Sequence, residues 1–146
     1  MVMKLNNQFF RPMMSGRGHF GFSLLRNGTQ ENPVKLGGDI NQGGWIAHPY
    51  NAPDESYLMW DMVREDGKGG ADIYIGFKRQ VGAWSKSINM DDKMNTDPHE
   101  SSPWVTYDDK YLFFTRGNRE VKAGGECNWV GKWYWVDAKA IADLKP

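Results

Sequence analysis

Short aromatic and β-branched runs recur along the chain, separated by segments that contain Gly, Pro, Asn, Asp or Ser. They include Tyr57-Leu58-Met59-Trp60, Asp72-Ile73-Tyr74-Ile75-Gly76-Phe77, Trp84-Ser85-Lys86-Ser87-Ile88-Asn89, Tyr111-Leu112-Phe113-Phe114 and Trp133-Tyr134-Trp135-Val136. Runs this short, interrupted by frequent glycine, cannot sustain a helical period, and they predict strands. The runs also repeat. Residues 47–60 align without a gap to residues 101–114, with Pro49 falling on Pro103, an offset of 54. At the same offset Val34-Lys35-Leu36 and Ile40-Asn41 fall on Ile88-Asn89-Met90 and Met94-Asn95. Each Tyr-Leu run is entered through an Asp-containing tight turn, Pro53-Asp54-Glu55-Ser56 or Tyr107-Asp108-Asp109-Lys110. A β unit recurring at this kind of spacing is the pattern of a propeller blade, whose faces leave water only when neighbouring blades stack on them.

Composition narrows the picture. The chain has 146 residues, enough for one domain (1–146) with a moderate core, and its 18 Lys+Arg balance 18 Asp+Glu. Zero net charge argues against a polybasic grip on nucleic acid. No run of about 18 apolar residues is present, so membrane insertion is not expected. The polar residues following Met1 leave no leader of signal-peptide length, so the chain as written is expected in the cytoplasm, or in the periplasm if a leader has been removed. Twenty aromatics, 14% of the chain, exclude a disordered composition. A single cysteine, Cys127, permits no internal disulfide, and with three His there is no zinc spacing.

The segments Ala52-Pro53-Asp54-Glu55-Ser56-Tyr57-Leu58, Gly70-Ala71-Asp72-Ile73-Tyr74-Ile75, Lys93-Met94-Asn95-Thr96-Asp97, Asp109-Lys110-Tyr111-Leu112-Phe113-Phe114-Thr115 and Trp133-Tyr134-Trp135-Val136-Asp137-Ala138-Lys139 resemble the TolB-like, PD40-type (WD40-like) β-propeller repeats of bacterial proteins. The resemblance runs from about residue 18 to the C-terminus. It implies an all-β fold of about three four-stranded antiparallel blades, at about 6–44, 45–99 and 100–137, followed by a short helix at 138–144 with Asp137 as its N-cap. The third blade is expected to lack its outermost strand.

At a 54-residue period, 146 residues make about 2.7 blades, whereas closed propellers typically have about four to eight. The chain therefore resembles the C-terminal half of a six-bladed propeller, and homodimerisation into a six-bladed ring is the expected completion. Met1 to Leu5 supplying an outer strand to a neighbour's third blade is a second solution. A fragment of a longer chain, or an open three-sheet structure, is the remaining alternative.

Candidate chemistry is sparse. Gly16-Arg17-Gly18-His19-Phe20-Gly21 matches G-x-G-x-x-G, but Phe20, Phe22 and Leu24 alternate after it as in a strand, so no dinucleotide helix follows. Asn27-Gly28 reads as a hairpin turn. Asp91, Asp92, Asn95 and Asp97 lack the alternation and central Gly of a calcium loop. No G-x-S-x-G elbow occurs. Cys127 reads as an incidental residue of a Gly-rich insertion. No catalytic residue, metal or cofactor is expected.

The innermost strand of each blade lines the central channel, and the loop entering it opens on one face. That rule places Asn41, Trp45 and His48, with Gln42 and Ile46, beside Asn95, Asp97, His99 and Glu100, with Ser102, as the candidate ligand-binding residues. For Asn95 and Glu100 a purely structural role, tying adjacent blades together, is the favoured expectation. The expected function is a non-enzymatic binding or interaction module holding a protein, peptide or saccharide at the channel. The rival is a carbohydrate-active hydrolase or lyase, for which only Glu100 with Asp97 offers carboxylates.

Overall fold

The computed structural model describes residues 3–5, 8–13, 19–79 and 83–146. Among these, twelve strands follow in order: β1 Met3–Leu5, β2 Gln8–Met13, β3 His19–Arg26, β4 Thr29–Gln30, β5 Val34–Lys35, β6 Trp45–Asn51, β7 Tyr57–Val63, β8 Asp72–Phe77, β9 Ile88–Asn89, β10 His99–Val105, β11 Tyr111–Val121 and β12 Cys127–Asp137. A 3-10 turn at Gly38–Asn41 links the first two sheets, and a short helix, α1 Lys139–Ala142, follows the last strand. The strands form three separate antiparallel sheets. The first is β1-β2-β3, with β4 and β5 both paired to β3; the second is β6-β7-β8-β9; the third is β10-β11-β12. The fold is thus all-β with an open arrangement of sheets, and the third sheet has three strands, as expected. Met3–Leu5 pairs with β2 of its own chain, through Met3↔Phe10 and Leu5↔Gln8.

The repeat is written into the backbone. Both β6 and β10 shift register around a proline, between Ala47 and Tyr50 in one and between Ser101 and Trp104 in the other. Proline brings no N–H to the ladder, so the strand bulges around it. The residue before each proline, His48 or Ser102, takes a positive φ of 45° or 57°. The tight turns match as well. Asp54 Oδ1 accepts from the Ser56 N–H and Asp108 Oδ1 from the Lys110 N–H, while Glu55 and Asp109 sit at φ 60° and 54°. Between repeats, Asn41 accepts from the Phe20 N–H at 2.7 Å and donates to the Phe20 carbonyl at 3.0 Å; Asn95 does the same for Ile73, at 2.8 Å each way. One amide side chain thus extends the pairing of a third-strand residue, whose carbonyl also accepts the N–H of Leu36 or Met90.

Two cores separate the three sheets. Phe20, Leu36 and Ile40 pack against Ile46, Leu58, Trp60, Met62 and Tyr74 between the first and second sheets. Met59, Ile73, Ile75, Phe77, Met90 and Met94 pack against Val105, Leu112 and Phe114 between the second and third. Strand alternation sends Leu58 and Trp60 one way and Met59 the other, so the middle sheet is buried on both faces.

The structure differs from expectation in detail. Only Ile88–Asn89 of the 84–89 run forms a strand, with an isolated bridge at Lys78↔Trp84. Ser85 breaks the ladder by pairing with Phe77 through both its N–H and its hydroxyl. The helix is confined to Lys139–Ala142; Asp137 Oδ1 accepts from the Lys139 N–H at 2.9 Å, one position earlier than a helix N-cap. Asn27 and Gly28, at φ 49° and 79°, make the expected hairpin turn. Gly16, Arg17 and Gly18 lie outside the described residues, and His19-Phe20-Gly21 opens β3. Among the described residues no helix is long and apolar enough to cross a membrane.

Candidate functional site

The hairpin of the third sheet is longer than its counterpart. Tyr57 pairs with Phe77 in the second sheet and Tyr111 with Asp137 in the third, so the offset grows from 54 to 60 across the turn. The extra residues carry β11 and β12 past the end of the second sheet. Gly117 and Gly131 face each other in this extension, and a Cβ on Gly117 would meet the Val130 carbonyl at 2.2 Å, so that crossing requires glycine. Arg119 and Trp129, paired beyond it, overhang the seam between the second and third sheets.

Under this overhang lies a cleft of about 740 Å³. Trp45 and Trp129 contribute half-exposed indoles, Val63 an apolar patch, and Arg119 a guanidinium with no carboxylate partner among the described residues. Ser101 and Thr115 also line it, their hydroxyl oxygens 2.8 Å apart. Thr115 donates to the Ser101 carbonyl at 3.1 Å, which leaves the Ser101 hydroxyl to donate to Thr115.

Two histidines are held in defined states. His48 Nδ1 lies 2.9 Å and 3.2 Å from the two carboxylate oxygens of Asp61. This hydrogen bond, partly opposed by burial and helped by the carboxylate charge, raises the His48 pKa above its ordinary value of 6.5. Asp61 itself is buried, and its Oδ1 also accepts the Ser102 N–H from β10 at 3.0 Å. One carboxylate therefore joins the bulges of two sheets. His99 Nδ1 accepts the Ala71 N–H at 3.0 Å, so its proton sits on Nε2. Its ring meets Trp129 edge-on at 5.8 Å and fills the space a Cβ on Gly70 would occupy.

Of the predicted residues, Trp45, His48 and His99 meet in this cleft, together with Ser102. The others lie elsewhere. Asn41 and Asn95 clamp the strand backbones described above. Glu100 is fully buried: its carboxylate accepts from the Thr96 N–H at 3.0 Å, the Thr96 hydroxyl at 2.6 Å and Arg116 Nε at 2.7 Å. Asp97 lines a separate hollow with Lys68, Asp92, Asn95, Thr96 and Pro98. Ile46 is in the core, and Gln42 borders a third hollow beside Arg64. Sequence reasoning missed Asp61, Arg119 and Trp129. The signal for the last two is the lengthening of the hairpin relative to its predecessor. Asp61 has no such mark, since its counterpart in the next repeat is Thr115.

Among the described residues no group of three or more His, Cys, Asp or Glu is placed to hold a metal ion. Cys127 is exposed and opens β12 opposite Val121, in a strand rather than in the loop expected for it. No protein-family profile, curated protein or solved structure matches the chain.

Proposed function

We propose that the chain is a non-enzymatic binding module of the TolB-like propeller type, with its ligand held in the cleft between the second and third sheets. Successive antiparallel meanders packed face to face are compatible with a β-propeller-like shape, and the shared backbone devices of the repeats favour that reading. The observation that carries the functional part is the cleft's composition: two accessible indoles flank the Nε2–H of His99 and a guanidinium, Arg119, that has no carboxylate partner among the described residues. Apolar platforms with a few fixed polar groups suit a small ligand or a segment of a peptide or saccharide.

Glycoside hydrolysis as a rival reading needs two carboxylates about 5 to 9.5 Å apart across the bond. The cleft lining contains one, Asp61, and it is already committed to His48 and the Ser102 N–H. Glu100 and Asp97 lie outside the lining. Binding rather than turnover therefore fits the geometry.

Titration of tryptophan fluorescence against panels of oligosaccharides and short peptides tests the reading. A ligand that quenches the signal should lose about tenfold or more in affinity in Trp129→Ala and Arg119→Ala, the scale of a central aromatic or arginine anchor. Turnover of a panel member, abolished by Asp61→Asn, would establish the enzyme instead.

A further inference from the structure

The outward face of the third sheet bears Trp104, Tyr111, Phe113, Trp133 and Trp135. Trp104 stacks on Phe113 with ring centroids 4.9 Å apart, and Tyr111 meets Trp135 edge-on at 5.0 Å. Trp133 and Trp135 are 61% and 59% exposed, and Trp104 and Tyr111 are each 41% exposed. An aromatic surface of this extent does not by itself require a partner, since the largest apolar patch on a monomer is often about 300–600 Å². The repeat supplies the deciding fact.

By the pairing registers, these five residues occupy the positions of Tyr50, Tyr57, Met59, Ile73 and Ile75 one repeat earlier. In the second sheet all five of those residues belong to the core formed with the third sheet. The third sheet thus presents the face that its predecessor buries against the next sheet in line. The residues after β12 do not cover it: Ala138 and Ile141 turn back into the core between the second and third sheets.

We propose that this face is an interface on which a second copy of the chain stacks head to tail, its first sheet following the third sheet as the third follows the second. Two such contacts close a symmetric pair. Covering the still-exposed parts of the aromatics removes about 500 Å² from each face. The two aromatic faces of a pair alone then contribute about 1,000 Å², the area that a specific interface should clear. The proposal is independent of what the cleft binds.

Light scattering coupled to size exclusion, with small-angle scattering on the same peak, tests it on the 146-residue chain. The expected mass is twice the 16.7 kDa of one chain. Two compactly joined copies should have a radius of gyration of about 19 Å. The double variant Trp133→Lys/Trp135→Lys, and separately Trp104→Lys, should halve the mass while leaving the far-ultraviolet dichroism unchanged, because these side chains are exposed within one chain. A wild-type chain that elutes at 16.7 kDa at micromolar concentration overturns the proposal. So does a dimer that survives all three lysines together, and an elongated dimer refutes head-to-tail closure.

Discussion

Glu100 offers the sharpest test of how the structure divides labour between stability and binding. Its carboxylate has zero exposure and receives three hydrogen bonds, from the Thr96 N–H, the Thr96 hydroxyl and Arg116 Nε. Arg116 in turn donates to the Met94 carbonyl at 2.8 Å and lies over the rings of Phe114 and Tyr134 at 5.5 Å and 4.8 Å. Glu100→Ala removes the anion but leaves the guanidinium in place and the part-buried Thr96 N–H without its acceptor. Breaking a buried pair from one side costs about 3–5 kcal/mol. Arg116 retains some access to water, with its side chain 23% exposed, so the low end, about 3 kcal/mol, is expected. For a chain of this length that corresponds to a fall of roughly 10 °C in Tm. Thermal unfolding by dichroism at fixed protein concentration measures it, since self-association makes Tm concentration-dependent. The double variant Glu100→Ala/Arg116→Met should recover part of the loss, because no charge is then left stranded, with a coupling of about 1–3 kcal/mol. Glu100→Gln should lower Tm while leaving the affinity of any cleft ligand unchanged. A Tm for Glu100→Ala within about 1–2 °C of wild type, on the roughly 2–4 °C per kcal/mol scale of a domain this size, would refute the reasoning, as would a ligand affinity that tracks Glu100→Gln.

Two further outcomes follow from the cleft. Because the folded pKa of His48 lies above 6.5, its pairing with Asp61 stabilises the fold fully below pH 6.5 and progressively less as pH rises through the elevated folded value. Denaturant midpoints should therefore fall over that window in the wild type and flatten in His48→Gln; the slope will be shallow, since the ring is half exposed and screened, and an identical slope in both proteins contradicts the assignment. Gly70→Ala places a Cβ 2.4 Å from the His99 ring, so it should displace the imidazole, cost about 1–3 kcal/mol and shift the His99 ring proton resonances; unshifted resonances would show that the ring is seated by something else.

Much of the architecture was legible because it is local and repeated. Pro49 and Pro103, the Asp54 and Asp108 turns, and the Asn41 and Asn95 clamps each stand one repeat apart, and each imposes its backbone geometry through its own side chain. The three-strand third sheet was readable for the same reason. The cleft was less so. Trp45, His48 and His99, singled out by their place at the start of the second and third units, do line it, but Arg119 and Trp129 arrive there only because a hairpin outgrows its neighbour, and its trajectory depends on the Gly117–Gly131 crossing. Glu100 and Asn95 look like site residues in sequence, because a buried polar anchor and an exposed ligand contact use the same residue types. Asp61 was invisible because its importance lies in a bond to the main chain of another sheet, at Ser102, which no spacing encodes.

The Asp61 carboxylate is buried with both oxygens engaged: one grips the adjacent sheet while both attend to the imidazole. A guest that courts this anion must first loosen the knot tying two modules together, so occupancy and sheet stacking draw on the same few atoms. A ligand content with the indoles and Arg119 leaves the knot tied, whereas one that reaches His48 would be felt across the whole seam.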